Sequence, residues 1–495
     1  MSDSDIATLK RHSIRGSGLS FAAQGVRFVI KLGSQILIAR LLQPSDYGLV
    51  AMVAPILSLG YLMGELGLGQ VVVLHPDLTR EEVSSLFWFS LALNSVLALG
   101  LMLLSPAIAW LYHEPRTIAI SLVLAALLPV TGMAGQHIAL LNRHMRFGAL
   151  AILDVLPPFC GLVTGLVAAH GGWGYWSLVA YAVAESLATV ATAWSLSPWR
   201  PTRPRRRPIG GLIKTGGDIA AYNFAAFMAI TLDNVLLGVF RGSEALGLYD
   251  RGRKLTFQAL NQLLAPISRT AIPLLTRLRN DPQRYKNAYL DALRMILLVT
   301  VPGTLFAMIM AHPLIVFLLG PRWEGVAPIF SWLCLGELVS PIYSSTFWLF
   351  TTQERTRQQV KYVAVTSLIT LCAFAAGLPW GPVGVAAGGV LSFALVAIPM
   401  VCWGATRKGI VTLRDLLGAL WPLAAAGAVC AAVLEFVRDS EVVGGVGSLA
   451  LAAPLAYGVF IAALLCIPGQ LIQRAWHFGR LLAWPQKHGL TKKPA

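Results

Sequence analysis

Charge is what this chain has least of. Only 13% of its 495 residues are Asp, Glu, Lys or Arg, against about 25% in an ordinary soluble domain. Long polar loops are missing too. Several connections are as short as HEPR, HGG and RGSE, so no catalytic domain fits outside the apolar segments. The six cysteines, Cys160, Cys334, Cys372, Cys402, Cys430 and Cys466, each stand alone in an apolar run. They form neither a disulfide framework nor a metal-ligand spacing and read as small buried hydrophobes. There is no G-x-x-x-x-G-K-[ST], so no phosphate-binding loop drives the protein. There is no H-E-x-x-H, and His137, His144, His170 and His312 are isolated. The expectation is a non-enzyme with no metal and no cofactor, coupling to H+ or Na+ being left open.

What is present is apolar. The chain is 56% hydrophobic with mean hydropathy +0.67. Apolar runs of about 20 residues, the length that crosses a bilayer, recur from end to end. They are continuous and not alternating, which selects helices over a barrel. The fold class expected is an all-α polytopic membrane protein of about fourteen transmembrane helices. The first six spans are 16–42, 47–74, 83–112, 117–142, 147–169 and 173–196. The next six are 211–240, 245–275, 285–311, 326–352, 360–378 and 383–404. Two more, 416–437 and 445–467, precede a basic tail. GELGLG at Gly64–Gly69 lies within an apolar span and reads as close helix packing.

The net charge of +16 could suggest nucleic acid, but its placement points elsewhere. Alternate loops hold the basic residues, from Lys10, Arg11 and Arg15 through Arg200–Lys214 to Lys492 and Lys493. That bias marks the cytoplasmic face and its anionic lipids. Both termini are therefore expected inside, in agreement with an even number of spans. The polar N-terminus and the long first span suggest no cleaved signal.

The chain also repeats itself. RLLQPSDYGLVAM, from Arg40, resembles VFRGSEALGLYDR, from Val239. Three further pairs keep order at offsets near 200–210 residues, starting at His75 and Arg279, Ser105 and Ala311, and Gly172 and Gly381. Registered repeats of this kind indicate two pseudo-symmetric six-helix lobes. The expected division is 1–197 for the first lobe, 198–210 for a basic linker, and 211–405 for the second lobe. Two additional helices occupy 406–470 and a basic tail 471–495.

Buried charge is where chemistry is expected. In the first span Gln24, Arg27, Lys31 and Gln35 recur at helical spacing and share one face. Arg27 lies ~16 Å into the span at 1.5 Å per residue. In the eighth span Arg251, Lys254, Gln258, Asn261 and Arg269 form a similar stripe, with Arg253 beside it. Such charges cost roughly 2.5–3.5 kcal/mol each on insertion scales and normally face a bundle interior or a wet cavity. Ion pairs with Glu65, Asp154, Glu185, Asp218, Asp233 or Glu337 would satisfy them structurally. A shared cationic cavity would instead take an anionic cargo, since Arg and Lys both bind phosphate. A diphosphate fits several such residues. Asp154, Glu185, Asp218 and Asp233 are the candidates for ion coupling, or simply partners of these bases.

ARLLQPSDYGLVAM, GELGLGQVVVLHPDLTREEVSSLFWFSL, LDNVLLGVFRGSEALGLYDRGRKL and APISRTAIPLLTRLRNDPQRY together resemble Wzx-type polysaccharide flippases. These form the polysaccharide-transport branch of the MOP superfamily, which is MATE-like. The resemblance implies alternating access around a cationic central cavity. It implies movement of an undecaprenyl-diphosphate-linked oligosaccharide across the bacterial inner membrane for exopolysaccharide, O-antigen or capsule assembly. By position, Arg27, Lys31, Arg251 and Lys254 would meet the diphosphate. The partners implied are the polyprenyl-diphosphate-linked oligosaccharide, membrane lipids, and polysaccharide polymerase and chain-length or export proteins. The glycan and the coupling ion are not carried over. Two other readings stand beside it: a small-molecule cation antiporter of the same superfamily, and a non-transporting membrane component of a glycan-synthesis complex. A membrane glycan polymerase or ligase would want a sizeable outer loop with catalytic Arg or His, and none is present.

Overall fold

The computed structural model describes residues 3–65, 69, 72, 78–202, 210–439 and 446–466. The described residues are helical almost throughout, with no strand among them. Lipid offers no hydrogen bonds, so a spanning chain satisfies its backbone within each helix.

Six helices come first: α1 (Asp3–Leu41), α2 (Pro44–Glu65), α3 (Arg80–Tyr112), α4 (Arg116–Arg143), α5 (Phe147–His170) and α6 (Trp176–Leu196). The ends follow from local chemistry. Thr79 and Glu82 form a reciprocal capping box at the start of α3, and His113 ends it in the left-handed region at φ 55°. Each satisfies backbone groups that the terminal turns leave without partners. After α6 the chain is extended, and residues 197–202 strap back onto α3. The Trp88 indole donates to the Thr202 carbonyl at 2.8 Å, and the Thr202 amide donates to Ser84 Oγ at 3.1 Å.

The seventh and eighth spans are one long helix, α7 (Gly210–Arg277), interrupted at Gly242 with φ 80° and ψ −175°. Only glycine adopts that conformation readily. The short loop expected at 241–244 is thus a single-residue break.

Then follow α8 (Pro282–Ile309), the short α9 (Ala311–Leu319), α10 (Val326–Thr352) and α11 (Thr356–Gly377). A π-helical turn, Phe393–Ala397, joins α12 (Gly381–Ser392) to α13 (Ile398–Arg407). The last are α14 (Leu413–Asp439) and α15 (Val446–Cys466). Ten segments of the described residues are long and apolar enough to cross a membrane. One of them, Thr356–Arg407, holds two crossings. α1 and the two halves of α7, expected as further spans, are not among those ten.

The described residues sort into two compact units, Met1–Gly247 and Leu248–Ala495. In the first, Leu49, Val53 and Leu57 of α2 pack with Ile120 and Leu124 of α4 and Val179 of α6. The first half of α7 joins this unit, Gly238 lying against the ring of Tyr112. In the second, α8 is the hub. Its Tyr285 and Tyr289 are fully buried and hydrogen-bond to Thr352 at 2.5 Å and Ser345 at 2.8 Å on α10. The same core takes in Leu423 of α14 and Phe460 of α15.

One contact in the first unit is made by backbone alone. A Cβ at Gly48 would overlap the Ser243 carbonyl, and a Cβ at Gly247 would overlap the Pro44 carbonyl. Gly48 and Gly247 hold the same place in RLLQPSDYGLVAM and VFRGSEALGLYDR, and so do Pro44 and Ser243. The contact is therefore reciprocal across the repeat.

Candidate functional site

In the first unit the site grows from α1. Arg27 Nη1 lies 2.7 Å from Asp154 Oδ1 on α5. One turn on, Lys31 Nζ lies 3.3 Å from Glu185 Oε1 on α6. None of the four is sealed away: the side chains of Arg27 and Lys31 are 46% and 32% exposed, and those of Asp154 and Glu185 are 24% and 26% exposed. Two candidate substrate residues and two candidate coupling residues thus form two ion pairs one helical turn apart on α1. Gln24 is exposed one turn before Arg27, and Gln35 is half-buried one turn after Lys31. Tyr181, on α6, lies close enough to Glu185 and Arg27 to feel both charges. The sequence offers no sign of it beyond a hydroxyl one turn from Glu185.

In the second unit the site is local. Asp250 is buried, and it receives Arg251 Nη2 at 3.3 Å and Lys254 Nζ at 2.8 Å. Arg253 lies near enough to add its field. Three cations around one carboxylate leave the cluster positive. Arg251 is almost fully buried, whereas the Lys254 side chain is 45% exposed. Lys254 is therefore the member of this cluster best placed to reach a ligand. Asp250 is absent from the residues picked out by charge and spacing, although its four-residue step to Lys254 is a helical pair. Asp233, in the first unit, is buried, and its Oδ1 accepts from the Asn234 amide at 2.8 Å. The side chains of Asp218, Gln258, Asn261 and Arg269 lie outside the described residues. No group of three His, Cys, Asp or Glu that could hold a metal occurs among the described residues.

Ten segments apolar enough to cross a membrane, two compact units and paired charge within the helices mark a polytopic membrane protein of the transporter class. Solved structures agree on the fold. The lipid II flippase MurJ, in an inward closed conformation, superposes with TM-score 0.68 at 13% identity, covering 91% of this chain and 98% of that one. An inward-facing multidrug resistance MATE family transporter of the MOP superfamily gives 0.63 at 15% identity, covering 79% and 97%. The chain belongs to the polysaccharide biosynthesis protein family, whose pattern matches residues 37–328. Among its relatives is the succinoglycan biosynthesis transport protein ExoT of Rhizobium meliloti (strain 1021), 22% identical over 324 residues. That match spans 65% of this chain and 66% of ExoT. The lipopolysaccharide biosynthesis protein WzxC of Escherichia coli (strain K12) is 19% identical over 398 residues, 79% of this chain and 80% of that one.

Proposed function

We propose that the protein is a flippase that carries an undecaprenyl-diphosphate-linked oligosaccharide across the bacterial inner membrane. It works by alternating access through a cationic cavity, with both termini cytoplasmic. Its product feeds the assembly of an exopolysaccharide, O-antigen or capsule. The observation that carries this reading is the pairing of Arg27 with Asp154 and Lys31 with Glu185, with all four side chains partly open.

A fully buried pair is costly to break, because a lone charge is left behind. A partly exposed pair contributes only about 0–1 kcal/mol. An incoming diphosphate can therefore take the place of Asp154 and Glu185 at little cost. It offers Arg27 a two-pronged partner and Lys31 a second charge. The released carboxylates are then free to accept H+ or Na+, which would couple cargo movement to an ion gradient. In the second unit Lys254, steadied by Asp250, is a separate exposed cation.

The family membership and the transport name of ExoT support a polysaccharide-related cargo. Deleting the gene tests it directly: a lipid-linked glycan should accumulate on the cytoplasmic face. Arg27→Ala and Lys254→Ala should reach the membrane at normal levels while surface glycan falls about tenfold, the equivalent of ~1.4 kcal/mol. Normal glycan export by both variants would remove the cationic cavity from the mechanism.

A further inference from the structure

In the second unit, the basic residues on the face that charge bias marks as cytoplasmic fall into two groups. Arg279, Arg284 and Lys286 pair with Glu354, Asp281 and Asp415. Arg357 and Lys361, early in α11, and Arg407, at the end of α13, do not. All three are exposed, and they meet no carboxylate among the described residues.

Packing brings these three together. α11 turns back at Gly377–Gly384 and runs antiparallel to α12 and α13. The seam is close: a Cβ at Gly388 would overlap the Ala373 carbonyl, and a Cβ at Gly404 would overlap the ring of Tyr362. At the basic end Arg355 donates to the Gly404 and Ala405 carbonyls at 2.7 and 2.9 Å. Its guanidinium is thereby spent on the last turn of α13. Tyr362 and Gly404 mark the line of contact. Lys361 and Trp403 each stand one residue before it, and in an antiparallel pair those positions fall on the same side of the seam. Arg357 and Arg407 lie one turn from them, both toward the basic end.

An aromatic ring and an apolar strip complete the face. The Arg407 guanidinium sits 4.8 Å from the centroid of the Trp403 ring, which is 47% exposed. Val365 and Leu368 follow Lys361 at helical steps and are exposed. Further along the same helices Leu395, also exposed, enters the wall of an open groove of about 800 Å³ with Ala376, Gly384, Gly388 and Leu391. Charge at a helix end above exposed hydrocarbon matches a phospholipid. A free phosphate would leave Trp403 and the leucines unused, and an uncharged acyl chain would leave the cations unpaired. One phosphodiester carries a single negative charge, too little for three cations.

We propose that this face of the second unit is a cardiolipin site. The two phosphates of the headgroup lie among Arg357, Lys361 and Arg407, and the linking glycerol rests against Trp403. The acyl chains follow Val365 and Leu368 toward the groove at Leu395. Basic pockets between membrane helices on the cytoplasmic side suit this headgroup. The site uses none of the residues assigned to the cargo, and it stands whether or not the cargo is a lipid-linked glycan.

Native mass spectrometry of the full chain released from detergent tests it, with cardiolipin, phosphatidylglycerol and phosphatidylethanolamine as probes. Wild type should bind cardiolipin more tightly than either of the others. Lys361→Gln combined with Arg407→Gln should lose about tenfold in cardiolipin affinity, with its melting temperature in lipid-free detergent unchanged. Trp403→Ala should weaken cardiolipin as well. Arg438→Gln, which removes an exposed cation elsewhere in the same unit, should bind as wild type does. Equal affinity for phosphatidylglycerol, full retention by the double variant, or an equal loss in Arg438→Gln overturns the site. Displacement of cardiolipin from wild type by undecaprenyl diphosphate would give the cluster to the cargo and overturn it too.

Discussion

The guanidinium of Arg27 touches Asp154 at 2.7 Å and is still nearly half exposed. A purely structural pair and a substrate-displaceable pair answer differently to a charge swap. Arg27→Asp combined with Asp154→Arg should restore the pair and the amount of protein in the membrane, yet leave glycan export low. Full recovery of export would make the pair structural. Asp250 belongs to the opposite class. Removing it takes a carboxylate from both Arg251 and Lys254, so Asp250→Ala should cost about 1.5–3 kcal/mol of charge-assisted bonding, read as a fall in melting temperature in detergent. At this scale the sequence was a partial guide. Charge inside an apolar helix is visible in any single chain, and Arg27, Lys31, Arg251 and Lys254 stand out for that reason. Their partners do not. Asp154 lies 127 residues from Arg27, and no spacing rule reaches across that distance. Asp250 sits close by, but a four-residue step to a lysine also describes countless ordinary surface pairs.

Among the elements, the join between the start of α2 and the stretch of α7 after Gly242 admits no side chain at Gly48 or Gly247. Gly48→Ala should part the two segments and cost about 1–3 kcal/mol, as overpacking usually does. Gly247→Ala should behave alike. The double variant should cost less than the two singles together, because one separation accommodates both methyl groups. Additive losses in a thermal melt would count against a shared contact. The spans themselves were legible, since a run of 20 apolar residues has few alternatives in lipid. Punctuation was not. RGSE looks like a loop, yet it continues as helix around one glycine because α2 packs on the segment that follows. The π-helical turn at Phe393–Ala397 likewise has no mark in the apolar run that contains it.

For the molecule as a whole, α14 and α15 look from the sequence like additions to a twelve-helix core. Packing ties them to the core of the second unit. Lys286 of α8 pairs with Asp415 of α14 at 2.5 Å, and Leu305 of α8 shares a buried cluster with Leu423 and Phe460. Ending the chain after Lys408 should therefore lower the amount of folded protein in the membrane several-fold, measured by fluorescence of a fusion in size-exclusion chromatography. An unchanged profile would make the last two helices dispensable for folding. The repeat that first suggested two lobes reappears in the structure at one small place. Gly48 lies on Ser243 and Gly247 lies on Pro44, each residue meeting the counterpart of its own neighbour. A join made of main chain is indifferent to drift. The two segments that the repeat relates could exchange nearly every side chain and still meet within the first unit, provided two positions never acquired a methyl group.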